Sequence, residues 1–188
     1  MTVFERMQNR RTVRKFTQTP VPRELLLRCV EAARVAPSAA NLQPLQYKIV
    51  SGEADCAALF PHLAWAGYLR PNGTPQSGER PTAYIVVVQN TERRPSAAEF
   101  DAGAAIMSML LCADEEGLGC CWIASVDRDA VAALYGLPET QKVLAVVALG
   151  YPAQQAKSVP MQSGDVKYYL DERDVLNVPK RSMEDILL

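Results

Sequence analysis

The chain has 188 residues, of which 48% are hydrophobic and 22% are charged, and its formal net charge is −1. These values are ordinary for a globular domain, and the near-neutral charge argues against a large nucleic-acid interface, which needs a basic excess. No apolar run reaches the roughly 18 residues of a membrane span. Because Glu5 and Arg6 interrupt the first apolar residues, we expect no signal peptide and a cytoplasmic protein.

Five cysteines and one histidine limit the chemistry that the side chains can perform. The cysteines form no C-x-x-C pair, and their odd number argues against a disulfide framework. With only His62, the usual multi-histidine metal sites are excluded, and a Ser-His or Cys-His hydrolase is disfavoured. We therefore expect reduced cysteines, no metal, and chemistry that depends on a bound cofactor.

Helices and strands alternate irregularly along the sequence. The capping box Thr2-x-x-Glu5 begins a short helix that ends near Asn9. Amphipathic or apolar patterns predict four further helices, at residues 23–35, 54–59 and 100–116 and following Asp127. Alternating or apolar runs predict four strands, at residues 45–50, 84–88, 120–124 and 143–149. This order contains no clean β-α-β repeat, no internal repeat and no second domain.

Three stretches between or beside these elements are candidates for function. Residues 10–14 read R-R-T-V-R, and in an extended segment alternate side chains share a face, which suits a phosphate; the alternative is a solvated basic turn. Residues 61–81 form a long irregular loop in which Trp65 and Tyr68 are expected to be exposed; they could cover a substrate or simply pin the loop. The tail, residues 165–188, carries apolar residues among charges and prolines, so it needs a surface to pack on.

Four motifs in register resemble the nitroreductase family of flavin-dependent oxidoreductases, and together they span nearly the whole chain. Residues 10–16, R-R-T-V-R-K-F, are similar to the family's R-R-S-x-R-x-F, with threonine in place of serine. Residues 32–44, A-A-R-V-A-P-S-A-A-N-L-Q-P, are similar to A-A-x-x-A-P-S-x-x-N-x-Q-P. The later landmarks are G-L-G-C-C-W-I at 117–123 and L-G-Y-P at 149–152. One such motif is weakly specific, whereas four in the right order are strongly specific.

The resemblance implies an α+β fold, a mixed sheet flanked by helices, assembled as an intertwined homodimer with FMN at the interface. Residues 1–164 would form the FMN-binding domain, and residues 165–188 would pack on the partner subunit rather than on their own. The phosphate and ribityl chain would be held by four residues, Arg10, Arg11, Thr12 and Arg14. The same flavin would be reached from the other subunit by Pro37, Ser38, Ala39 and Asn41. The isoalloxazine ring would lie along three residues, Trp122, Ile123 and Ala124.

Several of these roles have alternatives. Lys157 matches a basic residue that the family places after its last strand, but Val159 stands where a second one is usual, so Lys180 or Arg181 could complete the phosphate site. Ser38 could instead satisfy local backbone groups. Trp122 could be core packing.

The implied reaction takes two electrons from NADH or NADPH and passes them through flavin N5 to a small planar electron-poor acceptor, a nitroaromatic or quinone. Donor and acceptor would use the same place in turn, which gives ping-pong kinetics. No catalytic side chain is required, because the flavin carries the chemistry. Three alternatives stay open: an FMN store or sensor without efficient turnover, a relative that fragments its flavin with oxygen, and a structural homodimer without a ligand.

Overall fold

The most apolar stretches of the chain form the centre of a four-stranded sheet. The computed structural model describes residues 1–188, and the order of the sheet is β1-β2-β4-β3, with all neighbours antiparallel. The strands are β1 (Leu45–Ser51), β2 (Ala83–Asn90), β3 (Gly119–Ile123) and β4 (Gln141–Gly150). β2 and β4 are buried over most of their length because helices cover both faces of the sheet.

Four of the five helices cover this sheet, two on each face, and the short first helix packs on the fourth. The five helices are α1 (Val3–Asn9), α2 (Arg23–Arg34), α3 (Glu53–Leu59), α4 (Glu99–Glu115) and α5 (Arg128–Leu134). Successive strand side chains point to opposite faces. Ile85 and Val87 of β2 therefore pack with α2 and α4, whereas Tyr84 and Val86 pack with α3 and α5. No helix combines the length and apolar character needed to cross a membrane.

The α+β fold and every helix and strand predicted from the sequence are confirmed, with bounds that differ by at most two residues. The capping box of α1 is present, with both of its hydrogen bonds between Thr2 and Glu5. Gly117 ends α4 with a φ of 74°, a conformation that favours glycine. The four strands are all antiparallel, and the sheet is mixed because Thr12 pairs with Cys120 in parallel. This single bridge places the N-terminal segment beside β3.

A second, three-stranded sheet was not predicted. It contains β5 (Ala156–Pro160), β6 (Tyr169–Leu170) and β7 (Leu176–Lys180) in the order β5-β7-β6, with β5 and β7 parallel. These strands are short and only partly buried, and β5 and β7 each contain a proline, so they carry no clear apolar pattern. The boundary expected at residue 164 falls between β5 and β7. Part of the tail thus packs on its own chain, with Leu176 fully buried.

Candidate functional site

The arginine-rich segment at residues 10–16 is held against β3 and β4 by two buried apolar side chains. The Val13 N–H donates to the Cys120 carbonyl at 2.9 Å, and Phe16 is fully buried. A Cβ on Gly119 would lie 3.0 Å from Val13, and a Cβ on Gly150 would lie 2.9 Å from the Phe16 ring. Close packing against the first motif therefore explains Gly119 and Gly150, one glycine in each of the two later motifs.

The polar residues of this segment lie beside the end of α1. The Arg11 guanidinium donates to the carbonyls of Gln8 and Arg10, which are acceptors at the helix C-terminus. Burial and the neighbouring Arg10 charge lower the pKa of Arg11. The Nε atoms of Arg10 and Arg11 are buried and have no hydrogen-bond partner. Thr12 and Arg14 are half-buried.

The predicted phosphate residues line two separate cavities along β3. Arg10 and Arg11 line a cavity of about 280 Å³ that reaches Cys120. Arg14 lines a cavity of about 210 Å³ that reaches Cys121. The two linings share no residue, and Cys120 and Cys121 belong to the cores on opposite faces of the sheet.

The cavity at Arg14 brings together most of the residues predicted to face a planar ring. Its lining includes Trp65 and the three predicted residues of the β3 end, Trp122, Ile123 and Ala124. It also contains two residues that the sequence analysis missed, Arg70 and Tyr168, and no acidic side chain. The Arg14 guanidinium lies 4.7 Å from the centre of the Tyr168 ring, so tail and arginine segment meet here. Arg70 lay in the predicted irregular loop, and Tyr168 in the tail, where no pattern singled either out.

The exposure of two aromatic residues in this cavity, Trp65 and Trp122, differs from what the sequence suggested. Trp65 was predicted to be exposed but is only 5% exposed, because it stacks on Phe60 at 5.5 Å between ring centres. Its indole Nε1 has no hydrogen-bond partner. Trp122 is 43% exposed rather than packed in the core, because its neighbours in β3, Cys121 and Ile123, take the core-facing positions. Tyr68 is exposed as expected, and its ring centre lies 5.0 Å from that of Tyr168.

The thiol of Cys121 also lines this cavity and is not a nucleophile at ordinary pH. Burial raises its pKa to about 11, and the nearby Arg14 charge opposes this rise. All five cysteines of the chain are free.

The loop that follows α2 lines a different cavity. Within a single chain this loop therefore does not reach the cavity of Arg14. Pro37 and Ser38 line a cavity of about 140 Å³ together with Asp101. The Ser38 hydroxyl accepts from the Gln43 N–H at 3.1 Å, so it does satisfy a local backbone group. Asn41 is exposed.

Lys157 lies apart from the arginine segment. Its Nζ is 3.7 Å from an Asp171 carboxylate oxygen, and its side chain is 57% exposed. The adjacent Ala156 lines the cavity of Arg10 and Arg11. The two alternatives named above, Lys180 and Arg181, lie at the end of β7 and just after it.

Comparison with known proteins decides the family. The sequence model of the Nitroreductase family matches residues 7–151, which include all four motifs except the last residue of the fourth. The chain belongs to the nitroreductase family.

Relatives of this nitroreductase-family chain are similar along most of their length. A Methanothermobacter thermautotrophicus protein with the provisional name NADH dehydrogenase/NAD(P)H nitroreductase is 30% identical over 159 residues, covering 82% of this chain and 79% of its own. A crystal structure from Parabacteroides distasonis with the same provisional name is 27% identical, with a TM-score of 0.70, and the match covers 90% of this chain and 97% of that one.

A second crystal structure shares the fold at lower identity. It is a provisionally named nitroreductase from Desulfovibrio desulfuricans in complex with FMN, 23% identical with a TM-score of 0.72, covering 100% of this chain and 96% of that one. At this identity the likeness concerns the fold, which is that of the nitroreductase family.

Proposed function

We propose that the chain binds FMN and, as a homodimer, transfers two electrons from NADH or NADPH to a small planar electron-poor acceptor. The observation that carries this proposal is the cavity beside β3. It joins Arg14 to the Trp122–Ala124 segment, and the same short stretch of chain as Arg14 carries two buried, unpartnered arginine Nε–H groups, those of Arg10 and Arg11. Family membership and the names of the relatives support an oxidoreductase.

The residues around Arg10 and Arg11 fit a terminal phosphate. A buried N–H without a partner is unfavourable in the folded protein, and an oxyanion supplies the missing acceptor. The acidic residue in that lining, Asp114, is already paired with Arg6 at 2.7 Å. The same pair fixes α1 to α4 and so holds the arginine segment at its start. Neither Thr12 nor Lys157 lines this cavity, but each is adjacent in sequence to a residue that does, Arg11 and Ala156 respectively, and we propose both for its edge.

The residues around Trp122 fit a planar ring. When bound, FMN supplies reversible two-electron chemistry between a nicotinamide and an acceptor. The part of this chain is to orient the partners and to limit water. Trp65 forms a fixed wall, Arg14 and Arg70 give the cavity a positive charge, and Ile123 and Ala124 provide backbone groups along its floor. No histidine or carboxylic acid lines the cavity, so we assign the proton taken up by the acceptor to solvent.

Exposed apolar side chains on α1 and at the start of α4 support the proposed homodimer. α1 has no buried residue, and its apolar side chains Val3, Phe4 and Met7 are between 45% and 67% exposed. On α4, Phe100 is 85% exposed. Apolar surface of this kind is typical of an interface. A second chain would cover it and could bring its own Pro37–Asn41 loop, including Ala39, to the flavin of the first.

An anaerobic spectroscopic titration tests the proposal. The purified full-length chain should be yellow or become so with FMN, elute as a dimer, lose its flavin absorbance with NADH or NADPH, and regain it with a nitroaromatic. Arg23→Gln, which changes an exposed residue at the start of α2 that forms no ion pair, serves as a control and should behave like the wild type.

Three other results would contradict it. A chain that FMN cannot reconstitute is a structural dimer, and a flavin that neither nicotinamide bleaches indicates storage. Irreversible loss of the flavin with oxygen, without reoxidation by the nitroaromatic, indicates flavin fragmentation.

A further inference from the structure

A cavity of about 430 Å³ lies between α3 and the segment that leads into β2. Its lining shares no residue with the three cavities described above. The proposed oxidoreductase reaction makes no use of it. It nevertheless contains two buried polar groups that have no partner in the chain.

The first of these groups is the hydroxyl of Tyr84. Tyr84 is the second residue of β2 and is fully buried, on the face of the sheet that packs with α3. Its hydroxyl has no hydrogen-bond partner. Burial raises the pKa of Tyr84, so the hydroxyl stays protonated and can donate at any working pH. A buried hydroxyl without an acceptor is unfavourable.

The second group is the guanidinium of Arg80. It lies over the Phe60 ring at 4.1 Å, and its Nε is buried without a hydrogen-bond partner. No carboxylate of the chain pairs with it, although the neighbouring Glu79 pairs with Lys15. Since arginine stays charged, a part-buried guanidinium calls for a negative partner.

The other polar groups of the cavity are already engaged or face solvent. The Cys56 thiol donates to the Thr82 carbonyl at 3.4 Å. The Gln18 amide donates to the carbonyls of Phe16 and Arg80. Glu53 is the acidic residue of the lining, and it is exposed, so water screens its charge. Arg80 and Tyr84 are thus the groups of this cavity that lack an acceptor, and no carboxylate of the chain, Glu53 included, pairs with Arg80.

We infer that this cavity binds a small organic anion whose carboxylate accepts hydrogen bonds from Arg80 and Tyr84. The volume argues for an organic molecule, because one water occupies about 30 Å³ and pockets for small ligands begin near 300 Å³. Three apolar residues, Pro20, Ala57 and Pro81, line the cavity and can contact the body of such a ligand. A charged carboxylate gains the strongest bonds from these two donors.

Benzoate and its neutral analogue benzamide are suitable probes. Binding is measured by calorimetry on the full-length chain saturated with FMN, so that the flavin site is filled. We expect benzoate to bind and benzamide to bind at least tenfold more weakly. Tyr84→Phe removes one hydroxyl and should weaken benzoate about tenfold. Arg80→Gln should weaken it more, and Arg80→Lys, which keeps the charge, should fall between the wild type and Arg80→Gln.

Two controls make the result decisive. Tyr84→Phe should leave the thermal unfolding temperature of the ligand-free protein unchanged or higher, because the lost hydroxyl had no partner. A fall of several degrees would reveal a hidden partner, such as a bound water, and would overturn the assignment. Arg14→Gln should leave benzoate affinity unchanged. If it abolishes binding, benzoate occupies the cavity beside β3 and the inference is wrong, as it is if benzoate does not bind at all.

Discussion

The carboxylate of Asp101 accepts a hydrogen bond from the backbone N–H of Ala39 at 3.0 Å. Asp101 lies in the first turn of α4, is 4% exposed, and accepts a second bond from Arg94 at 2.9 Å. The loop that it holds contains three non-glycine residues with positive φ, namely Ala40, Asn41 and Gln43. A positive φ at a non-glycine residue is unfavourable unless the surrounding structure imposes it, and residues of this kind are concentrated at functional sites. The buried carboxylate thus fixes the loop that we propose for flavin contact across the dimer.

Asp101→Asn should weaken FMN binding by roughly tenfold, since losing a charged bond to a buried partner costs on the order of 1.5–3 kcal/mol and only part of it reaches the ligand. A fluorescence titration of FMN measures the effect. Glu116→Gln is the control, because it breaks the Arg28 ion pair at the other end of α4. Equal FMN affinity in both variants would show that Asp101 acts on stability alone.

Arg10 and Arg14 should have different ligand preferences, because they line different cavities. Arg10→Ala should weaken FMN by roughly ten- to a hundredfold and riboflavin much less, as expected for a phosphate contact. Arg14→Ala should weaken both ligands, because its guanidinium lies beside the Trp122 segment. The titrations are run with FMN and riboflavin in parallel. If Arg10→Ala weakens the binding of FMN and riboflavin equally, the assignment of Arg10 to the phosphate is wrong.

The sequence could predict the central fold because periodic apolar residues determine it. The runs that became β2 and β4 are buried on both faces, and the helix around Ile106 faces the same core. The tail could not be predicted in this way, because β5 and β7 pair through backbone hydrogen bonds and bury only two side chains, those of Leu176 and Asn177. For the candidate site, motif order predicted residues 10–14 and 122–124, and the structure brings Arg14 and residues 122–124 to one cavity. Arg70 and Tyr168 reach the same cavity only through tertiary folding, which spacing does not reveal.

The end of the tail should contribute to the dimer, and only its last residues can test this. Deletion after residue 164 would remove β7 and the buried Leu176, which would disrupt the chain's own second sheet. Deletion of residues 182–188 removes the exposed apolar side chains Met183, Ile186, Leu187 and Leu188 instead. We expect this shorter deletion to raise the dimer dissociation constant at least tenfold, measured by analytical ultracentrifugation. A truncated chain with unchanged dimer affinity would show that these residues are peripheral.

The second sheet should lose stability in acid through Asp171. Its carboxylate accepts from the Asn177 side chain and from the backbone N–H groups of Val175 and Arg173, with Lys157 nearby, and these contacts lower its pKa from the ordinary 3.8. A lowered folded-state pKa means that the stabilisation is present above the unfolded value and is lost as pH falls through the folded value. Asp171→Asn should therefore unfold a few degrees below the wild type at pH 6. The difference in unfolding temperature between the two proteins should disappear below pH 3.8. A difference that does not depend on pH would rule out the Asp171 charge as its cause.

Tyr68 should influence which acceptors are reduced without affecting the nicotinamide step. It is 54% exposed, in the irregular loop, and contacts Tyr168, whose ring also meets Arg14 at the cavity. Trp65 of the same loop is buried, so the loop has a fixed base and an exposed end at Tyr68. Tyr68→Ala removes the aromatic side chain at the exposed end of the loop and should widen the entrance to the cavity of Arg14. We expect kcat/KM for a bulky two-ring quinone to change by several-fold relative to a one-ring quinone. Anaerobic stopped-flow bleaching by NADH or NADPH should keep its wild-type rate. If the bleaching rate falls as much as acceptor reduction, Tyr68 supports the cavity as a whole and does not select acceptors.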